Sequence, residues 1–397
     1  MNIRNFFLIV ALAGCGPPLL AENISEPRIN LKRVAEANKL LENEHPDFIY
    51  KQSKLKKTSG YIIGKEVLRV TLMPDDKLRV VRIAVIFPAG NNRILPGTEL
   101  TVTSPEGCRA VKIGGGGVNT NFEITCNGGH ESVLSGKDII VSVKNGATLG
   151  KYRELIYVPY SDDLAMPEIV AEGKAYLFGE IRKAVVELNL SKVHSRAFPD
   201  RLITEVFPEE ILYRLSLIEH IDHGEFRNMG AEYCVNKVLT QAGLNREKVF
   251  SLAVSSTGAL CLMQVMPSTY KEVRSFYPKA RMNSSPVVGS CDSHVSAIKM
   301  AYLVLDSKLS EMPEDFKNLF LKSPDKYGFF LAAAYNGGAS RAKALYSKYP
   351  NGEVHGILDK IFDLFRTRKG IRSVSTMRPE TWIFIKKYFE VSDLETP

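Results

Sequence analysis

The stretch Phe207-Pro208-Glu209-Glu210-Ile211-Leu212-Tyr213-Arg214-Leu215-Ser216-Leu217-Ile218-Glu219-His220 decides how the second half of the chain is read. Pro208 suits a first helical position, and Glu209 and Glu210 stand where the helix dipole favours negative charge. Apolar residues recur at 211, 212, 215 and 218, one face of a 3.6-residue period. Glu219 is i+7 from Leu212 and i+4 from Leu215, so it falls on the apolar side of an amphipathic helix. A carboxylate there loses solvation, its pKa rises, and it can hold a proton near neutral pH, as a general acid must. A Glu at the rim of an apolar stripe can equally reach out into solvent, so the helix alone does not assign the role.

The next apolar segment reads Ala253-Val254-Ser255-Ser256-Thr257-Gly258-Ala259-Leu260-Cys261-Leu262-Met263-Gln264-Val265-Met266-Pro267, and two later blocks are Ala334-Tyr335-Asn336-Gly337-Gly338 and Pro379-Glu380-Thr381. With Glu219, these blocks in this order resemble the signature of the goose-type lysozyme and lytic transglycosylase superfamily. There a helix-borne Glu is followed by a Ser-rich turn, a Gly-Ala step and a Leu-Met-Gln-x-Met-Pro run. The resemblance covers roughly residues 200–390 and implies an all-α, lysozyme-like catalytic domain over 201–397.

The resemblance also implies a reaction on the glycan strands of peptidoglycan. Glycosidases usually work with two carboxylates; in this family one Glu makes both proton transfers. Glu219 would protonate the glycosidic oxygen between N-acetylmuramic acid and N-acetylglucosamine. It would then accept a proton from the muramic acid C6 hydroxyl as that oxygen attacks C1, leaving a 1,6-anhydro end. A hydrolytic muramidase of the same fold is the alternative, with Asp222 or Glu225 holding a water, although both read as solvated turn residues. An inactive peptidoglycan-binding scaffold is the other.

Carried over from the family, Gln264 would line the sugar cleft, Met263 would contact sugar faces, Tyr335 would position sugar near Glu219, and Asn336 would support the cleft. Gly258 and Ala259 read as small residues at the mouth of a helix, and Thr269 to Glu272 as a capping box for the next one. Gly337-Gly338 reads as a helix C-cap, and Glu380 as a helix-start residue bonding back towards the core. The chain departs from the family pattern at His220, where Ser is usual, at Cys261, where glycine is usual, and at Phe384, where Tyr often stands. Residues 226–250 are an insertion. His220, Asp222 and His223 do not share a helical face, so no metal site is expected, and no cofactor motif is present.

The first half has a different character. Residues 1–15 read as an export signal, with Arg4 before the apolar run Phe6 to Ala13. Leu12-Ala13-Gly14-Cys15 resembles a bacterial lipobox, which would put lipid on Cys15 and anchor the protein to the outer membrane from the periplasm; cleavage after Ala13 or near Ala21 is the alternative. Residues 16–60 read as a tether with one short helix (Leu31, Val34, Asn38, Leu41) and a basic linker (Lys51, Lys54, Lys56, Lys57). Residues 61–160 hold many short strand-like runs separated by turns, the pattern of a β-sandwich or small barrel. Gly114 to Gly117 lacks the Gly-Lys-Ser/Thr of a phosphate loop and reads as a hairpin loop. Pairing Ile113 with Asn121 sets Cys108 opposite Cys126, so a cross-strand disulfide fits. Residues 161–200 form a linking helix.

The fold class is therefore multidomain α+β: a β-sandwich-like module, then an all-α domain. Because chemistry does not need the β module, it is expected to dock a protein partner or to set reach into the wall. The chain has 397 residues and a formal charge of +8. That charge suits an acidic polymer or anionic lipid; no dense Lys/Arg run or nucleic-acid motif is present, which argues against nucleic acid. Of six cysteines, Cys234, Cys261 and Cys291 lie in the helical half, where at most one bridge can form.

Overall fold

The computed structural model describes residues 28–52, 60–86, 94–144, 147–354, 356, 358 and 378–395. The export signal with Cys15, and Lys54, Lys56 and Lys57 of the basic linker, lie outside the described residues. No helix among those described is long and apolar enough to cross a membrane.

Eight antiparallel strands follow one another in chain order: β1 (Phe48–Gln52), β2 (Gly60–Leu72), β3 (Leu78–Ile86), β4 (Glu99–Ser104), β5 (Cys108–Gly114), β6 (Asn121–Cys126), β7 (Gly129–Lys144) and β8 (Ala147–Tyr157). β2 also pairs with β7, Val67 facing Asp138 and Leu72 facing Ser132, which closes β2 to β7 into a barrel. Of the two architectures open to the sequence pattern, the molecule adopts the barrel. Alternation along β2 explains why: Val67 points inward with Val81, Ile83, Phe122 and Ile124, while Leu68, Val70 and Leu72 point outward. The outward row is covered by α1 (Leu31–Glu42), whose Val34, Ala37 and Leu41 are buried. The segment is thus not a free tether: α1 completes a core on the outside of the barrel, and β1 pairs with β2. Asn38, the polar break in that helix's stripe, accepts a hydrogen bond from Ser135 Oγ on β7 at 2.5 Å.

Arg69 is fully buried on the inward face of β2, bonded to Asp138 at 3.0 Å and lying over the Phe122 ring at 5.0 Å. Gly136 makes room for it, since a Cβ there would come within 2.7 Å of the guanidinium. Removing the carboxylate strands a buried cation. Asp138→Ala is expected to cost about 3–5 kcal/mol, read as a lower denaturant midpoint in equilibrium unfolding.

Cys108 and Cys126 face each other on β5 and β6 and are bonded. The strand end differs from the expected register, because a bulge between Lys112 and Gly114 brings Gly114, not Ile113, opposite Asn121.

Beyond the barrel the chain is helical: α2 (Pro167–Leu190), α3 (Ile203–Val206), α4 (Glu209–Ile218), α5 (His223–Asn245), α6 (Pro267–Phe276), α7 (Pro286–Cys291), α8 (His294–Ser310), α9 (Glu314–Lys322), α10 (Pro324–Gly337), α11 (Ala339–Lys348) and α12 (Pro379–Glu395). One continuous apolar core runs through them. The insertion at 226–250 is mostly α5, which packs along α2 and touches α12. The α2–α5 crossing is close: a Cβ on Gly173 would lie 1.9 Å from Leu239 O, and one on Gly243 2.4 Å from Ile169 O. At the end of α5, Asn245 donates to Val158 O at 3.0 Å and accepts from Val158 N at 2.8 Å, pinning the barrel's exit to the helical domain.

Candidate active site

α4 is more deeply set than an amphipathic surface helix. Ile211 to Ile218 are all buried, including Arg214 and Ser216. Arg214 meets Glu395 at 2.8 Å and Asp325 at 3.2 Å, and Ser216 Oγ donates to Tyr213 O. Glu219 caps the helix, its N–H donating to Leu215 O at 3.1 Å. Its side chain enters a cleft of about 830 Å³ lined also by Asp222, Ser255, Gln264, Tyr335, Asn336, Glu380, Phe384 and Lys387. Burial pushes the Glu219 carboxyl up to about 8, against the opposing pull of the Lys387 charge.

Lys387 is the residue that sequence reasoning missed. It lies on α12, is 1% exposed, and donates through Nζ to Ile221 O, two residues beyond Glu219. Burial lowers its pKa to about 8, and the Glu219 charge acts the other way. A signal was present: Phe384, Tyr388 and Val391 form a buried helical stripe, and Lys387 sits inside it. A lysine on the apolar face of a helix needs a partner.

Tyr335, near the end of α10, donates from its hydroxyl to Met263 O at 2.7 Å. Burial and then the Glu219 charge hold that hydroxyl well above its usual range, so it remains a donor. Asn336 Oδ1 accepts from Thr381 Oγ1 at 3.0 Å, which joins α10 to α12 behind the cleft. Gly338 follows with φ +89° and caps the helix.

Several sequence expectations need correction. No helix begins at Gly258 and Ala259: residues 253–265 fold as a ladder of turns, with bridges Val254–Leu260 and Leu260–Val265, and the next helix starts only at Pro267. Pro267 occupies the first helical turn, so Thr269 to Glu272 lies inside α6 and forms no capping box. The Met263 side chain is 1% exposed in the core and does not line the cleft; only its carbonyl serves the site, as the acceptor for Tyr335. Gln264 does line the cleft, but its Nε2 donates to Cys261 O at 2.6 Å, so the amide closes the turn as well as facing the cleft. Glu380 is exposed in the cleft wall; Thr381, not Glu380, bonds back to the core.

The departures at Cys261 and His220 now have physical reasons. Cys261 has φ +55°, a backbone conformation that favours glycine, and its disulfide to Cys291 ties that strained turn to α7. Cys234 is the buried free thiol, pushed up to about 11 by burial. His220 donates from Nε2 to Leu262 O at 2.8 Å and stacks on Phe250 with 3.5 Å between centroids. Burial lowers its pKa to about 3, so it stays neutral and acts as a strut between α4 and the turn ladder. Asp222 accepts from the N–H groups of Gly224 and Glu225 at 2.7 and 2.9 Å, capping α5, and Glu225 pairs with Lys237. Both carboxylates are therefore occupied. Among the described residues no cluster of three His, Cys, Asp or Glu side chains is placed to hold a metal ion.

Residues 248–353 match the family described as Transglycosylase SLT domain, so the C-terminal half carries a lytic transglycosylase-like domain of the peptidoglycan-cleaving type. The matched segment contains the turn ladder and the Tyr335-Asn336-Gly337-Gly338 block; Glu219 and Lys387 lie outside it and reach it through the fold. Comparison with curated proteins and with solved structures gives no match.

Proposed function

We propose that this protein is a peptidoglycan lytic transglycosylase in which Glu219 acts first as acid and then as base. The supporting observation is a carboxyl held up to about 8 by burial, set in a cleft whose wall is the transglycosylase-type segment. At neutral pH Glu219 carries a proton. It gives that proton to the glycosidic oxygen as the muramic acid C1–O bond breaks, and the N-acetylglucosamine end leaves as an alcohol. The resulting carboxylate takes the C6 hydroxyl proton as O6 bonds to C1, so no water is consumed. Lys387 sits where its charge stabilises the carboxylate between the two transfers. Tyr335, fixed on the Met263 carbonyl, shapes the wall beside the acid.

One observation favours hydrolysis instead: Glu380 offers a second, exposed carboxylate in the cleft. Digestion of purified peptidoglycan followed by mass spectrometry separates the readings. Fragments lighter by one water than hydrolysed ends support the transglycosylase. Hydrolysed ends assign a muramidase, and binding without fragments leaves a scaffold.

The Leu12-Ala13-Gly14-Cys15 run supports a periplasmic protein anchored to the outer membrane by lipid on Cys15. Cys15→Ser is expected to move the protein from the membrane pellet to the soluble periplasmic fraction; a variant that still pellets removes the lipobox reading.

A further inference from the structure

His223 opens α5, four residues past Glu219, and lines the same cleft. Even fully extended, four residues of backbone reach only about 14 Å, and the Lys387 charge acts on both side chains. The imidazole therefore stands close to the acid, yet the chemistry described above makes no use of it. We propose that His223 is a substrate-binding residue whose Nε2–H donates to the 2-acetamido carbonyl of a sugar in the cleft. The proposal rests on the glycan-cleaving reading above and adds a residue that selects N-acetylated strands.

The backbone around His223 is held on both sides. Lys387 bonds the Ile221 carbonyl before it, and Arg227 Nε donates to the His223 carbonyl at 3.1 Å. Asp222 takes the N–H groups of Gly224 and Glu225, so the ring, and not the helix start, is what remains to bind a ligand. The side chain is the opposite case. Nδ1 is buried without a hydrogen-bond partner, and Nε2 has none among the described residues either. Such a group in a folded protein calls for an explanation. The ring is only half-buried, so Nε2, and not the enclosed Nδ1, is the nitrogen that a ligand can reach.

Burial, helped by the Lys387 charge, lowers the His223 pKa to about 4, so the ring is neutral at pH 7. A neutral imidazole carries one N–H. Buried N–H groups without acceptors are rarer in folded proteins than under-used acceptors, which puts that proton on Nε2. Other donors around the acid are committed to the protein: Tyr335 to Met263 O, Gln264 to Cys261 O and His220 to Leu262 O. His223 Nε2–H is left for the substrate. An amide carbonyl is a better acceptor than a hydroxyl or ether oxygen, and in these sugars it comes with a methyl group. The cleft wall has apolar surface to meet that methyl, since Val254 is 61% and Met266 36% exposed there. One placed donor in a partly apolar wall is how a small group is recognised.

The test compares glycan strands with their acetyl groups intact and the same strands after de-N-acetylation, using the full-length protein. The wild type is expected to show the lower KM on acetylated strands. In His223→Ala the ratio of the two KM values should shrink about fivefold, the size of one hydrogen bond. His223→Gln should restore the ratio, because its amide nitrogen reaches the place of Nε2. His223→Asn should not, because its amide nitrogen falls at the place of the enclosed Nδ1. A ring with a purely structural role would not rank the two amides in this order. A ratio that His223→Ala leaves untouched, or that Asn restores as well as Gln, overturns the proposal. Nitrogen-15 NMR of the wild-type imidazoles gives a second reading that depends neither on a variant's folding nor on turnover. An N-acetylglucosamine oligosaccharide should shift the His223 Nε2 signal, and a glucosamine oligosaccharide of the same length should not. If the wild type cleaves neither glycan, the catalytic reading fails and this titration decides the site alone. A shift with the acetylated sugar only supports the proposal, and no shift, or the same shift with both, overturns it.

Discussion

Glu219→Gln is expected to stop glycan cleavage, keep strand binding, and make the folded protein more stable at neutral pH. The amide retains the shape of the carboxyl but transfers no proton, and general acid–base catalysis is worth about 10²–10⁴-fold in rate. The stability gain follows from the same burial. The Glu219 pKa is raised from 4.5 to about 8 in the folded state. Below pH 4.5 both folded and unfolded chains keep the proton and nothing is lost. As pH rises from there towards 8, the unfolded chain ionises while the folded one does not, and stability falls throughout that window. By pH 7 the deficit is about 1–3 kcal/mol, allowing for contact with cleft water. The Gln variant escapes it, so its unfolding midpoint should exceed the wild type's at pH 7 and match it at pH 4. Glu219→Asp should also lose most activity, because the carboxyl retreats by one methylene from a transfer needing heavy atoms within about 3 Å. Full turnover in the Gln variant would make Glu380 the next residue to test.

Lys387→Met is expected to move the alkaline limb of kcat/KM to higher pH and to lower kcat. Lys387 is the charge that pulls the Glu219 pKa down against burial. Without it the acid form persists further into alkali, but the carboxylate formed midway through the reaction loses its counter-charge. Each pKa unit of lost stabilisation corresponds to about 1.4 kcal/mol, or roughly tenfold in rate if expressed in the second proton transfer. Lys387 also holds the Ile221 carbonyl, so the substitution lowers stability as well. The pH profile separates the two roles: a purely structural lysine would change the amount of folded enzyme without shifting the limb. Lys387→Arg, which keeps the charge, should leave the limb near its original position.

The elements were legible where apolar periodicity was strong. α2, α4, the strands β3 to β6 and the Cys108–Cys126 facing pair can all be read from spacing. What escaped was set by tertiary contact. The short helix α1 was legible from its spacing, but its place against the barrel was not, because its covered face is completed only by β2 and β7, far along the chain. Closure of the barrel depends on β2 pairing with β7, which no local pattern announces. At the site, Glu219, Tyr335 and Asn336 could be found because the family resemblance supplies their motifs. Met263 and Glu380 were misplaced because a motif gives residue type and order, not the direction of a side chain. Lys387 was missed because its importance comes from three elements meeting: the end of α4, the Ile221 carbonyl after it, and the buried stripe of α12. The stripe alone carried a warning, since a lysine among Phe384, Tyr388 and Val391 breaks the apolar rule.

The account turns on Glu219 holding a proton at neutral pH inside the cleft. The direct measurement is a carbon-13 NMR titration of the glutamate side-chain carboxyls, with the Glu219 signal assigned by its absence from Glu219→Gln. Burial predicts a midpoint near 8. A midpoint near the ordinary 4.5 would contradict it, because the group would then be a solvated carboxylate with no proton to give.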